Sequence, residues 1–190
     1  MNNSISRREF FSSFVANARG SFASEKTEKQ TTQNVVFPPG AQNYLENCNQ
    51  CNDCISVCPH EAIRVFHGDD EQFAGYPVIE PRTQACYFCE DFPCIESCDT
   101  GALVKTKNIK LGLAEIIENN CLPYNGHICR SCVNNCPFPE QAIYCDAEGK
   151  PVVNENICNG CGVCVQVCPS DKIGIRIKFM EEKICLSQVS

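Results

Sequence analysis

The chain has 190 residues, of which 18 are cysteine and none is tryptophan, and its hydrophobic fraction of 43% counts cysteine among the apolar residues. An ordinary side-chain core is thin for a chain of this length, so the cysteines must contribute to folding. The net charge of -7 excludes nucleic acid as a partner, because phosphate recognition needs a basic footprint; no run approaches the ~20 apolar residues of a membrane span, which leaves a membrane as at most a peripheral contact.

Residues 1-36 contain no cysteine and are dominated by Ser, Thr, Asn, Gln and charge, and Glu25 to Asn34 reads as a flexible linker. Phe10 or Phe11, Phe14, Ala18 and Phe22 recur at about helical spacing beside arginines, the pattern of an amphipathic docking helix for a partner groove or a membrane surface. A disordered tail with stray aromatics is the plainer reading.

From residue 37 to about 180 the cysteines fall into four runs. The first is Cys48, Cys51, Cys54 and Cys58 (C-x2-C-x2-C-x3-C, then Pro59) and the second Cys86, Cys89, Cys94 and Cys98 (C-x2-C-x4-C-x3-C). The third is Cys121, Cys129, Cys132 and Cys136 (C-x7-C-x2-C-x3-C, then Pro137), and the fourth is Cys158, Cys161, Cys164 and Cys168, which repeats the first spacing before Pro169. Three thiolates on a short loop can hold three corners of an iron-sulfur cubane, and in two-cluster ferredoxins the fourth cysteine of each run ligates the other cluster. Sixteen cysteines so placed imply four 4Fe-4S clusters. Zinc modules use C-x2-C pairs set further apart, and disulfides between cysteines this dense would be strained.

Each run is followed by a short apolar signal: Ala62-Ile63, Ala102-Leu103, Ala142-Ile143, and Ile173 with Ile175. Pro77-Val78-Ile79 and Pro151-Val152-Val153 read as strands, and the segment around the last cysteine of each run as the start of a short helix. The expected fold class is α+β: two interlocked two-cluster, bacterial-ferredoxin-like units with short helices and two-stranded sheets. Ile55, Val57, Ile95, Val133, Val165 and Val167 are expected to pack beside the sulfurs, and Gly160 and Gly162 to allow close backbone approach to a cluster. The expected organisation is a flexible segment 1-36, a four-cluster domain 37-180 and a tail 181-190. Cys145 reads as a small buried hydrophobe, Cys185 as a free thiol in the tail, and His60, His67 and His127 as surface residues. No nucleophile, carboxylate-pair or phosphate-loop pattern stands out, so an electron carrier or accessory protein is expected rather than an enzyme.

These runs, the C-x7-C of the third above all, resemble the ferredoxin-type accessory proteins of the periplasmic nitrate reductase system, the NapF and NapG/MauM group, over about residues 37-177. The short N-terminus with Ser6-Arg7-Arg8 and the closing Cys158 to Cys161 segment are similar to NapF, whereas the second run through Gly101-Ala102-Leu103, and Leu111-Gly112-Leu113-Ala114, are similar to NapG. The expected reading is NapF-like, which the resemblance implies is a cytoplasmic accessory or maturation partner for the catalytic subunit of a molybdenum reductase; the alternative, NapG-like, implies an exported relay between a quinol-oxidising membrane partner and a terminal reductase. A built-in iron-sulfur subunit of another oxidoreductase complex is a further alternative. The resemblance, with the equal spacing of the outer runs, implies outer-with-outer exchange: Cys48, Cys51 and Cys54 with Cys168; Cys158, Cys161 and Cys164 with Cys58; Cys86, Cys89 and Cys94 with Cys136; Cys121, Cys129 and Cys132 with Cys98. Ser6-Arg7-Arg8-Glu9-Phe10-Phe11 also resembles a twin-arginine export signal, but Ser12, Ser13, Asn17 and Arg19 interrupt the apolar stretch that such signals need. The expectation is therefore cytoplasmic retention, with export to the periplasm as the alternative.

Overall fold

The computed structural model describes residues 35-178. The proposed docking helix and export-like motif, and the tail with Cys185, lie outside the described residues.

Helices here are single turns, and the cysteine runs place them. After α1 (Tyr44–Asn47), the helices α2 (Asp53–Ser56), α3 (Pro93–Glu96), α4 (Ser131–Asn134) and α5 (Val163–Gln166) each carry the third cysteine of a run. They stop before the fourth cysteine, one turn earlier than the sequence reading puts them. In three of the four runs a proline follows the fourth cysteine; it restricts that cysteine's backbone and cannot donate the next helical hydrogen bond.

The strands are equally short. β1 (Ile63–Val65) pairs antiparallel with β2 (Pro77–Ile79), β3 (Leu113–Ile116) with β6 (Ile175–Lys178), and β4 (Ile143–Cys145) with β5 (Pro151–Val153). The two proline-led strands are those expected, and three of the four apolar signals begin or enter a strand. Ala102-Leu103 makes only an isolated bridge, Leu103 to Ala41.

These pairings divide the described chain into two halves. The Ala41–Leu103 bridge brackets the first and second runs, with the β1–β2 hairpin between them. The β3–β6 pair brackets the third and fourth runs, with β4–β5 between. One apolar core extends through both halves. Val35 and Val36, assigned from sequence to the N-terminal segment, belong to it: they are buried, and Val36 exchanges backbone hydrogen bonds with Ile79 at 2.8 and 2.7 Å. No helix among the described residues is long and apolar enough to cross a membrane.

Candidate metal centres

Four cavities of about 290 to 360 Å³ open inside the cysteine runs, and each is ringed by four cysteines. Cys48, Cys51 and Cys54 share one with Cys98. Cys86, Cys89 and Cys94 share one with Cys58. Cys121, Cys129 and Cys132 surround a third with Cys168, and Cys158, Cys161 and Cys164 a fourth with Cys136. The three leading cysteines of every run stay together, and the fourth crosses to its sequence neighbour's cavity.

The expected outer-with-outer exchange is therefore corrected. Cys168 faces the third run's cysteines rather than the first's, Cys58 the second's rather than the fourth's, Cys136 the fourth's and Cys98 the first's. The physical reason is the bracketing of each half: the Ala41–Leu103 bridge and the β3–β6 ladder close the runs two by two, and α2 packs on α3 as α4 packs on α5. Equal spacing of the outer runs carries no pairing information, because all four runs end in the same C-x3-C.

The rings fit a multi-iron cluster better than a single ion. Among the described residues no three of His, Cys, Asp and Glu stand close enough to hold one metal ion. The rings instead leave room between the sulfurs, and the rest of each lining is largely apolar, such as Pro39, Ile63 and Ile79 around the second run's cavity. None of the seventeen described cysteines is in a disulfide.

Burial sets the thiol chemistry. Cys54, Cys86 and Cys132 are pushed up to about 12, and Cys94 and Cys161 to about 11, in each case first by desolvation and then by other cysteines or partly offset by backbone N–H groups. Cys164 is raised well above its ordinary value by the same burial. Without metal these sulfurs are neutral thiols near pH 7; a bound cluster would hold them as thiolates. Cys98 moves the other way. Burial raises it, but the Thr100 hydroxyl and backbone N–H groups, that of Leu103 among them, outweigh burial and lower it.

The apolar signal after a run has a second role that composition does not disclose. The Ala62 N–H donates to Cys58 Sγ at 3.3 Å and the Leu103 N–H to Cys98 Sγ at 3.4 Å, so in these two runs the crossing cysteine receives an N–H···S bond from the residue just before β1 or from the bridge that follows it. Such bonds favour thiolate and influence reduction potential.

The long third run is closed by one side chain. Asn125 Nδ2 donates to the carbonyls of Cys121, Glu118 and Asn119 at 2.8, 3.1 and 3.3 Å, folding the C-x7-C loop so that Cys121 reaches the ring. Of the apolar residues expected beside the sulfurs, Ile95, Val133 and Val165 are buried and Ile55 and Val167 half-buried, but Val57 is exposed. Gly160 and Gly162 are left-handed (φ +74° and +87°), yet their close approaches are to protein: an added Cβ would lie 2.4 Å from Gly112 O and 2.6 Å from Pro81 Cβ. Cys145 is half-buried at the end of β4, outside every ring, and His60, His67 and His127 are exposed, with the His60 ring 4.8 Å from that of Tyr87 and tilted 34° to it.

Comparison with known proteins agrees with this geometry. The 4Fe-4S dicluster domain model matches twice, over residues 47-102 and 127-172, each match containing cysteines of two adjacent runs. The methylamine utilization ferredoxin-type protein MauM of Paracoccus denitrificans is 32% identical over 167 residues, 80% of this chain and 75% of that protein. The ferredoxin-type proteins NapG and NapF of Escherichia coli are 32% and 27% identical, over 74% of this chain in both cases and 68% and 84% of their own lengths. No solved structure matches significantly. The chain is a ferredoxin-type iron-sulfur electron-transfer protein: it belongs to the 4Fe-4S dicluster family and, within it, to the group that contains MauM, NapG and NapF.

Proposed function

We propose that the protein is a four-cluster electron relay of the NapG/MauM kind, holding one 4Fe-4S cluster in each ring and serving a larger redox system without substrate chemistry of its own. The observation that carries this reading is the fourfold repetition of a four-cysteine ring of similar size, with one cysteine of each ring exchanged between neighbouring runs. A cubane in such a ring stores and releases one electron. The chain's residues supply the thiolates, exclude water with the apolar lining and direct N–H groups at Cys58 and Cys98. The favoured acceptor is the catalytic subunit of a molybdenum reductase of the nitrate reductase kind, as the resemblance implies; an acidic chain made more anionic by its clusters would meet it through a basic face.

Anaerobic iron and acid-labile sulfide analysis should give about sixteen of each per chain. Zinc in place of iron ends the reading. Cys58→Ala should disturb the second run's signal; a disturbance confined to the fourth run would restore outer-with-outer exchange.

The interrupted apolar stretch after Arg7-Arg8 favours a second reading, a NapF-like accessory protein retained in the cytoplasm. A reporter fused after Arg19 separates the two: cytoplasmic retention supports the accessory reading, and export supports the relay.

A further inference from the structure

The two halves meet along one seam. The segment 81-87 of the first half lies against 161-170 of the second. The Arg82 guanidinium donates to the carbonyls of Cys168 (2.6 Å), Ser170 (3.3 Å) and Val165 (3.5 Å). Gln166 Oε1 accepts from the Ala85 N–H at 3.3 Å, and Gln166 Nε2 donates to Gln84 Oε1 at 3.1 Å. Ala85 is fully buried and packs with Cys161 and Val163. At the centre the Cys86 N–H donates to the Cys161 carbonyl at 3.0 Å. Among the described residues this is the one backbone hydrogen bond that joins a ring cysteine of one half to a ring cysteine of the other.

Within each half the helices that carry the third cysteines bring the two rings together. α2 packs on α3 and α4 on α5.

We propose that the four cysteine rings are wired as one open chain, first run to second to fourth to third, with the Cys86–Cys161 backbone contact as the crossing between halves. The proposal rests on the four-cluster reading above. The order departs from the order along the polypeptide, which would put the third run after the second. Electron transfer weakens steeply with distance and runs better through bonded contacts than through gaps, so a ligand-to-ligand hydrogen bond across the seam is the favoured crossing. With a cluster in each ring, a crossing would pass one electron between the cluster held by Cys58, Cys86, Cys89 and Cys94 and the one held by Cys136, Cys158, Cys161 and Cys164, in either direction. One cluster would be oxidised by one electron as the other is reduced, with no bond or proton moved.

The test is electron paramagnetic resonance of the dithionite-reduced protein, in which neighbouring reduced clusters broaden and split one another's signals. The double variant Cys89→Ala/Cys94→Ala should lower iron from about sixteen to about twelve and leave the first run's cluster isolated, with a narrow unsplit signal, while the third and fourth remain coupled. The variant Cys161→Ala/Cys164→Ala should instead leave the third run's cluster isolated while the first and second stay coupled; the polypeptide order would keep the third coupled to the second, so a third-run signal that stays split overturns the order. A first-run signal that stays split when the second ring is emptied overturns the order. If the double variants do not fold, Gln166→Ala decides: it keeps all four clusters but should weaken the coupling across the seam, and unchanged coupling overturns the proposal. Wild-type protein without about sixteen irons fails at an earlier step and overturns the four-cluster reading itself.

Discussion

The two halves hold the same number of ring cysteines but are filled differently. In the first, Phe37, Tyr44, Phe66, Phe73 and Tyr76 form a connected aromatic group, with ring centroids 4.7 to 6.1 Å apart, and the Tyr44 hydroxyl donates to the Pro77 carbonyl at 2.8 Å. Among the described residues the second has no such group. Its larger buried aliphatic side chains are Leu111, Val133, Ile143, Val163, Val165, Ile175 and Ile177, and its closure is a true strand pair where the first half has one bridge. One half thus owns a core of side chains beside its clusters, whereas the other has its clusters in the place of much of that core.

Iron removal should break this comparison most strongly. In chelator-treated protein, amide hydrogen exchange should stay slow at Val78 and Ile79 and become fast along β3 and β6; equal loss of protection in both halves would show that the aromatic group does not sustain its half alone. Next in size, Phe66→Ala should cost about 3 to 5 kcal/mol in urea unfolding, since Phe66 is fully buried in that group. A cost under about 1 kcal/mol would mean that the clusters, not the rings, hold the first half together.

The dependence on pH sharpens the comparison from the metal side. In iron-free protein the raised thiols of Cys54 and Cys86, in the half expected to persist, bind protons more tightly folded than unfolded. Their contribution to stability is complete below the ordinary value of 9.0 and is lost as pH rises through about 12. Cluster insertion has the opposite sign, because it must remove those protons, so reconstitution should improve as pH rises from about 7 to 9. Urea midpoints of iron-free protein at both ends of the window, and reconstitution yields at matched pH, check the two signs. The smallest effect is expected at the Arg176–Glu115 pair across β3–β6. The side chains are 36% and 42% exposed, so Arg176→Ala should change stability by at most about 1 kcal/mol in thermal unfolding at moderate salt.

What was legible in the sequence follows from what is local. The three leading cysteines of a run lie within one loop, so their gathering could be read from spacing, as could the strands headed by Pro77 and Pro151. The destination of Cys58, Cys98, Cys136 and Cys168 is set by which strands close on which. That depends on Ala41 meeting Leu103 and on Leu113–Ile116 meeting Ile175–Lys178, contacts that no local pattern encodes. Val35 and Val36 looked like the end of a polar segment because their partner, Ile79, is far along the chain. Gly160 and Gly162 were recognisable as sites of close approach, but what approaches comes from Gly112 and Pro81. Arg82 and Gln166 carried no signal at all, since a seam residue looks in sequence like any other polar residue.

Arg82 has a consequence for biosynthesis. It precedes Cys168 by 86 positions, so it leaves the ribosome well before the cysteine whose carbonyl it binds. Translation therefore presents the second half, as it emerges, with an anchor already made in the first. The last ligand of the third run's ring is positioned by a residue synthesised before any cysteine of that run, which makes the N-terminal half a template on which the C-terminal half can assemble.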